Sequence, residues 1–515
     1  MTIPIIDLFA GPGGLGEGFS SFNELGEHPF KVSLSVEKDS VAHQTLKLRS
    51  FVRQFNDDVP DEYYKYVKTD KANIRDYLYH SKFTKQHKTA ESEAIQLALG
   101  PDNLEIENLI IEKVKDNNNW VLIGGPPCQA YSLIGRARMK GQEDFAIDER
   151  HTLYENYLQM IAKFKPSIFV MENVKGMLSS RVNGESIFSK IIDDLSNPGK
   201  SINKSKKSSL RYNLYSFTIK KDNLIDLKPS DFIVKSEEYG IPQKRHRVIL
   251  LGIRSDIDNG INENNLLEPK KPVSIADAID DLPRLRSRLS RKKADGGDNF
   301  SSWLENLQKL PKSLSNSKIH SSAIEAAIQY IENNNNYKDG GRFTKIKSKK
   351  SSSSIFIKDN WDWFSDESLN GVLNHQSRKH MDSDLQRYLY CSIYAQRLNE
   401  APKLEDFPKA LLPNHKNANQ GIFSDRFRVQ LKNKPATTVT SHISKDGHYY
   451  IHYDPTQCRS LSVREAARIQ TFPDNYFFEG NVTQQYHQVG NAVPPLLAKQ
   501  LAATVYQIMK NHNQI

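Results

Sequence analysis

Ile3-Pro4-Ile5-Ile6-Asp7-Leu8-Phe9-Ala10-Gly11-Pro12-Gly13-Gly14-Leu15-Gly16 is a short apolar run that dissolves into glycines. The run reads as a buried strand, and the glycines as a tight turn opening a helix. Gly11, Gly13 and Gly16 keep the G-x-G-x-x-G spacing, which lets a ligand approach backbone N–H groups at a helix N-terminus. Glu37 closes the next apolar run, residues 32–36, where a carboxylate can accept hydrogen bonds from both hydroxyls of a ribose. Further β-branched, apolar runs at residues 120–123, 168–171 and 248–253 read as buried strands, with helical patterns between them such as residues 155–164. Strand and helix in alternation predict an α/β fold, a doubly wound, mostly parallel sheet.

The alternation is interrupted twice and then stops. Residues 81–119, polar and partly helical, and residues 198–209, rich in Ser and Lys, read as insertions. From residue 272 onward the pattern turns irregular, with short strands expected at residues 435–440 and 449–453. Helical periodicity returns at residues 461–471 and 496–509. The expected organisation is a Rossmann-like domain over residues 1–271, a second, smaller irregular domain over 272–457, and a segment, 458–515, that returns to the first.

The chain has 515 residues, with Lys+Arg 71 against Asp+Glu 61 and a formal net charge of +10. That balance favours a polyanionic partner. Three cysteines in this length fit a reducing compartment and give no disulfide framework. The N-terminus lacks the basic start and long apolar core of a signal peptide, and no apolar run approaches a membrane span. A soluble, cytoplasmic protein is expected.

One cysteine stands apart. Cys128 follows the run 120–123 within Gly124-Gly125-Pro126-Pro127-Cys128-Gln129. Two prolines fix their own φ angles and remove two donors, so the segment cannot continue a helix or a ladder, and Cys128 is expected at the sheet edge. Cys391 and Cys458 are far away in sequence and no Cys-x-x-Cys pair exists, so a metal site is not expected. A buried structural thiol is the commoner fate of a free cysteine. The stiff turn favours a nucleophile instead.

Taken in order, the motifs resemble those of the cytosine-5 DNA methyltransferase family. Asp7-Leu8-Phe9-Ala10-Gly11, continuing through Gly13-Gly14, resembles its S-adenosylmethionine loop, and Gly125-Pro126-Pro127-Cys128-Gln129 its nucleophile motif. Met171-Glu172-Asn173-Val174 resembles its glutamate motif and Gln243-Lys244-Arg245-His246-Arg247 its arginine motif. Residues 464–473 resemble the helix that supports the recognition domain. Gln488-Val489-Gly490-Asn491-Ala492-Val493-Pro494-Pro495 resembles the C-terminal motif that returns to the cofactor. Six motifs in family order span nearly the whole chain. Pro435-Ala436-Thr437-Thr438 also resembles a Pro-x-x-Thr pattern of many recognition domains.

The resemblance implies transfer of a methyl group from S-adenosylmethionine, leaving S-adenosylhomocysteine, to carbon 5 of a cytosine flipped out of double-stranded DNA. Carbon 5 is too weakly nucleophilic unaided, so the thiolate of Cys128 adds to carbon 6. Glu172 donates a proton or hydrogen bond at ring nitrogen 3. Arg245 and Arg247 hold the base oxygen or order the nucleophile, with Arg247 the closer to the base. On the cofactor the resemblance places Phe9, Ala10, Gly11, Pro12, Gly13, Gly14, Glu37, Lys38, Pro126, Leu153 and Asn491. Asp70 joins them, although Thr69-Asp70-Lys71 departs from the family's Asp-Ile pair.

Ser132, Arg136, Arg138, Gln243 and Thr438 are placed on the DNA. Residues 132–141 read as a loop closing over it, residues 441–448 as a loop entering the major groove, and the basic cluster 284–293 as phosphate contacts. A monomer is expected, and the resemblance implies the host-protecting member of a restriction system, sharing its DNA target with an endonuclease that need not be a physical partner; an orphan regulatory methylase is equally compatible with these residues. A nicotinamide oxidoreductase explains Gly11, Gly13, Gly16 and Glu37 but leaves Cys128, Glu172 and the two arginines without a joint purpose. The nearer alternatives are tRNA cytosine-5 methylation and a non-catalytic DNA-binding module. The large second domain favours duplex DNA, and intact Cys128 and Glu172 favour turnover.

Overall fold

The structure, a computed structural model, describes all residues except 1, 57, 70–71, 101–102, 116, 128–148, 183–184, 203–209, 222–226, 292–295, 311–317, 335–336, 347–353, 414–424, 513 and 515. Among the described residues, eight strands form the central sheet: β1 (Ile3–Leu8), β2 (Phe30–Glu37), β3 (Ala94–Gln96), β4 (Val121–Gly124), β5 (Ile168–Val174), β6 (Tyr212–Ser216), β7 (Ile233–Lys235) and β8 (His246–Arg254). Their order is β3-β2-β1-β4-β5-β8-β6, with β7 pairing the first part of β8. Strands β1 to β5 pair in parallel. Strand β8 runs antiparallel to β5, β6 and β7. The mostly parallel sheet expected from the apolar runs is present.

Alternation along each strand serves two faces. Ile5, Val121, Ile123, Val170, Ile249 and Leu251 enter one core with Leu497, Leu501 and Val505 of the helix Pro495–Asn511. Ile6, Leu8, Leu122, Phe169, Met171, Val248 and Leu250 enter the other, beneath Tyr157, Leu158 and Ile161 of the helix Glu149–Phe164.

Residues 81–119 are not an insertion. They supply β3 and the helix Leu104–Val114, whose Ile106 and Ile110 are buried against the sheet. Three strand residues are too few to make a visible apolar run.

Beyond residue 272 helices dominate, including Phe300–Gln308, Ser321–Asn333 and Asp382–Leu398, beside a hairpin of Gly340–Lys345 with Gly371–Gln376. The strand expected at 435–440 shrinks to Ala436–Thr437, paired with Gln243–Lys244. The strand expected at 449–453 is instead a 3₁₀ turn, His448–Tyr450, entered through Gly447 at φ 76°. His448 and Tyr450 both anchor inward there, at 2.6 Å from the Tyr388 hydroxyl and, from the Tyr450 hydroxyl, at 3.0 Å to the Thr438 carbonyl.

One core joins Ile275, Trp303, Tyr388 and Cys391 with Leu461, Ala467, Phe472, Tyr486 and Val489. The chain leaves that core at Ala492 and enters the sheet core at Val493. Cys391 and Cys458 are buried within it, and burial pushes both thiols up, so neither is a ready nucleophile. No helix among the described residues is long and apolar enough to cross a membrane.

Asp7, near the end of β1, is fully buried. Burial, reinforced by the Glu37 carboxylate, pushes it from 3.8 up to about 8. The folded protein therefore holds this proton more tightly than the unfolded chain. That contribution is fully present below the unfolded value, declines as pH rises, and is gone once pH passes the folded one. Stability should fall between about pH 4 and about pH 8, and Asp7→Asn should flatten part of the fall. Urea midpoints at both pH values check this; parallel curves for the two proteins would remove Asp7 as the cause.

Candidate active site

The five parallel strands end at one edge of the sheet, and β8, running the other way, begins there. Open α/β sheets hold ligands at that edge, where strand order reverses on either side of β1. A cavity of about 810 Å³ lies along it, within the usual range for small-molecule sites. Its wall is built from residues 9–12 after β1, 37–40 at the end of β2, 96–99 at the end of β3, 125–127 after β4 and 172–174 at the end of β5. Leu15, Val36, Ala42, Leu153, Arg245, Arg247, Thr440, Ser441, His487, Gln488 and residues 490–493 complete it.

On one side the Glu37 carboxylate organises the glycine turn. Gly11 donates its N–H to Oε2 at 2.8 Å, and Asp39 donates to Oε1 at 2.7 Å. Burial pushes Glu37 up while these N–H groups pull it back. Gly11 sits at φ 58° with open space where a side chain would start. Phe9, Ala10, Pro12, Lys38, Pro126, Leu153 and Asn491, expected on the cofactor, line the cavity.

Gly13 and Gly14, expected on the cofactor, do not line it. A Cβ on Gly13 would meet Leu46 and Tyr476 at 2.8 and 3.0 Å, and one on Gly14 would meet the Val493 carbonyl at 2.2 Å. These two glycines let the turn pack against the C-terminal segment.

On the other side Arg247 Nε stands 2.8 Å from Glu172 Oε1. A Cβ on Gly125 would lie 3.1 Å from Glu172 Oε2, so the Gly-Pro-Pro turn passes directly beside this carboxylate. Asn173 donates its Nδ2 to the Pro126 carbonyl at 3.0 Å and fixes that turn. Because β8 is antiparallel, its start delivers Arg247 opposite the end of β5, in register with Val174. Cys128, Ser132, Arg136, Arg138 and Asp70 lie outside the described residues.

Arg245 behaves differently from Arg247. Its side chain is buried, and Nη1 donates to the carbonyls of Val439 at 2.9 Å and Gly490 at 3.3 Å. Burial, then the charge of Arg247, lowers it to about 9. It ties two backbone segments together at the cavity wall.

Gln243, expected on the DNA, is fully buried and bonded to Ile469, Gln470 and Val439. Thr438, also expected there, donates its hydroxyl to the Lys244 carbonyl at 2.5 Å. The described arginines of the cluster 284–293 each face an aspartate. Arg284 pairs with Asp454 at 2.6 Å, Arg286 and Arg288 with Asp298 at 2.7 and 3.3 Å, and Arg291 with Asp382. Within the loop expected to enter the groove, Ser441 lines the cavity, whereas His448 is buried.

Several wall residues carried no signal in the sequence. Leu97 and Leu99 follow β3, which itself was not legible, and His487 arrives from a distant segment. A position just past a strand end is the signal that finds the first pair.

The profile of C-5 cytosine-specific DNA methylases matches residues 101–507. The type II methyltransferase M.Bpa9945I of Bacillus paralicheniformis is 31% identical, over 99% of this chain and 100% of its own. M.DdeI of Desulfomicrobium norvegicum is 26% identical, over 99% of this chain and 90% of its own. A crystal structure of a DNA modification methyltransferase encoded within an E. coli prophage shares the fold. Its TM-score is 0.52 at 19% identity, covering 99% of this chain and 100% of that one. Profile, full-length likeness and fold agree: the chain belongs to the C-5 cytosine-specific DNA methylase family and is a DNA (cytosine-5-)-methyltransferase.

Proposed function

We propose that this enzyme transfers a methyl group from S-adenosylmethionine to carbon 5 of a cytosine flipped out of a specific duplex sequence, through an adduct with Cys128. The observation that carries the reading is one cavity with two chemically different ends. At one end Glu37 and the open face of Gly11 suit a ribose and the chain beside it, with Phe9, Leu97 and Leu99 as apolar surface for a purine. S-adenosylmethionine held there would supply an electrophilic methyl group. At the other end the Gly-Pro-Pro turn that precedes Cys128 in the chain passes beside the Glu172–Arg247 pair.

The thiolate of Cys128 attacks carbon 6, and electron density moves toward ring nitrogen 3. Glu172 holds a proton at that nitrogen, and Arg247 holds Glu172 in place. Arg245 is a positioning residue. Loss of the carbon 5 proton to water and expulsion of the Cys128 thiolate from carbon 6 complete turnover.

Similarity to named type II methyltransferases supports a role as the protecting, modifying half of a restriction system; in this proposal the enzyme acts as a monomer on DNA that a cognate endonuclease also reads. Incubation with S-adenosylmethionine and either unmethylated plasmid or tRNA, followed by bisulfite sequencing, should place 5-methylcytosine at one recurring sequence in the plasmid. Modification confined to tRNA, or none in either, would overturn the reading.

A further inference from the structure

Gln243 and Gln470 are both fully buried, and neither lines the cavity. Val439 donates its N–H to Gln243 Oε1 at 3.1 Å. Gln243 Nε2 donates to Gln470 Oε1 at 2.5 Å and to the Ile469 carbonyl at 3.2 Å. Gln470 Nε2 donates to the carbonyls of Val489 at 2.6 Å and Ala492 at 3.1 Å. Both N–H groups of each amide are used, and turning either amide over would set donor against donor or oxygen against oxygen. The chain of bonds therefore has one direction and one register.

Its two ends are the two segments that close the cavity. Beyond Val439 come Thr440 and Ser441; between Val489 and Ala492 lie Gly490 and Asn491. These segments touch, because a Cβ on Gly490 would come within 2.2 Å of the Thr440 carbonyl carbon. Arg245 grips both, through Val439 and Gly490.

Resting on the proposed function, we infer that Gln243 and Gln470 are positioning residues, a buried relay through which the segment 438–441 on the recognition side sets the segment 489–492 on the cofactor side. Each leaves buried donors or acceptors unpaired when replaced, so each change reaches the cofactor without touching it. Gln243 is the sharper probe, since it bonds no residue of 489–492.

The test is a double-mutant cycle on the full chain with Gln243→Met, Gln470→Met and both together. S-adenosylhomocysteine binding is measured by calorimetry, and kcat and KM for S-adenosylmethionine on amplified, methyl-free genomic DNA. Each single change should weaken S-adenosylhomocysteine roughly tenfold and raise KM with kcat altered less, and the double should be no weaker than the weaker single. Full affinity in Gln243→Met, or losses that multiply in the double, would overturn the relay. Should Gln470→Met melt far below the parent, Gln243→Asn, which keeps the amide but shortens its reach, must still weaken binding; unchanged affinity there refutes the inference. A parent chain that binds no S-adenosylhomocysteine would refute the proposed function itself, and the relay with it.

Discussion

Cys128→Ser is expected to abolish methyl transfer, by a factor on the order of 10⁴ or more, and to abolish the covalent complex with 5-fluorocytosine duplex. A serine hydroxyl remains protonated near neutrality and cannot replace a thiolate as the attacking group. No neighbouring sulfur can substitute, because Cys391 and Cys458 are buried in the other core and burial holds both protonated. The surroundings should survive the change. Pro126 stays tied to Asn173, and the Glu37–Gly11 contact at the far end of the cavity involves no residue near position 128. S-adenosylhomocysteine should therefore still bind. Radiolabel transfer from S-adenosylmethionine to DNA checks the first part and calorimetry the second. Transfer within about tenfold of the parent would sink the covalent mechanism.

The largest expected effect on stability falls at Arg468, whose side chain is fully enclosed. Its guanidinium donates to Asp474 at 2.5 and 2.6 Å, to Asp281 at 3.2 Å through two nitrogens, and to the Ala278 carbonyl at 3.1 Å. Arg468→Met fills much the same space but takes from two buried carboxylates the charge they are hydrogen-bonded to, leaving Asp474 only the Arg464 charge, a cost of about 3–5 kcal/mol. Burial already pushes Asp474 up against the pull of Arg468, so the variant forces that residue toward its neutral form. Arg468→Lys should recover only part of the loss, since a point charge cannot match two carboxylates with a planar fork. Urea midpoints of the three proteins decide it. A loss below about 1 kcal/mol in Arg468→Met would mean the carboxylates find water or other partners.

The parts of this fold that were legible in the sequence are those encoded locally. Ile5 and Ile6, or Val170 and Met171, announce a strand with both faces covered, and the glycines after Leu8 announce the turn. What was not legible depends on distant partners. Ala94–Gln96 is too short to stand out, and only its pairing with Ser35, Val36 and Glu37 makes it a strand. The reversed direction of β8 is written in no residue of β8. Gln243 looks like a surface amide until Val439 and Gln470 close over it. The arginines of 284–293 read as a basic stripe because the aspartates that face them lie up to 170 residues away in the chain. Leu46 and Tyr476 crowd Gly13 and the Val493 carbonyl crowds Gly14, and a glycine required by packing looks the same, in one dimension, as one required by a cofactor.

The passage from one core to the other between Ala492 and Val493 bears on any attempt to exchange sequence preference with a relative. A transplant cut at residue 457 would carry Tyr388 and Trp303 but leave behind Leu461, Ala467, Phe472 and Val489, which pack with them. Half of each parent's interior would then meet a foreign half. A chimera that moves residues 272–492 as a block keeps that interior intact, and its new seams fall where Leu369, Leu373 and Phe477 pack on Tyr63, Tyr64 and Val67, around Arg245, and at helix Pro495–Asn511.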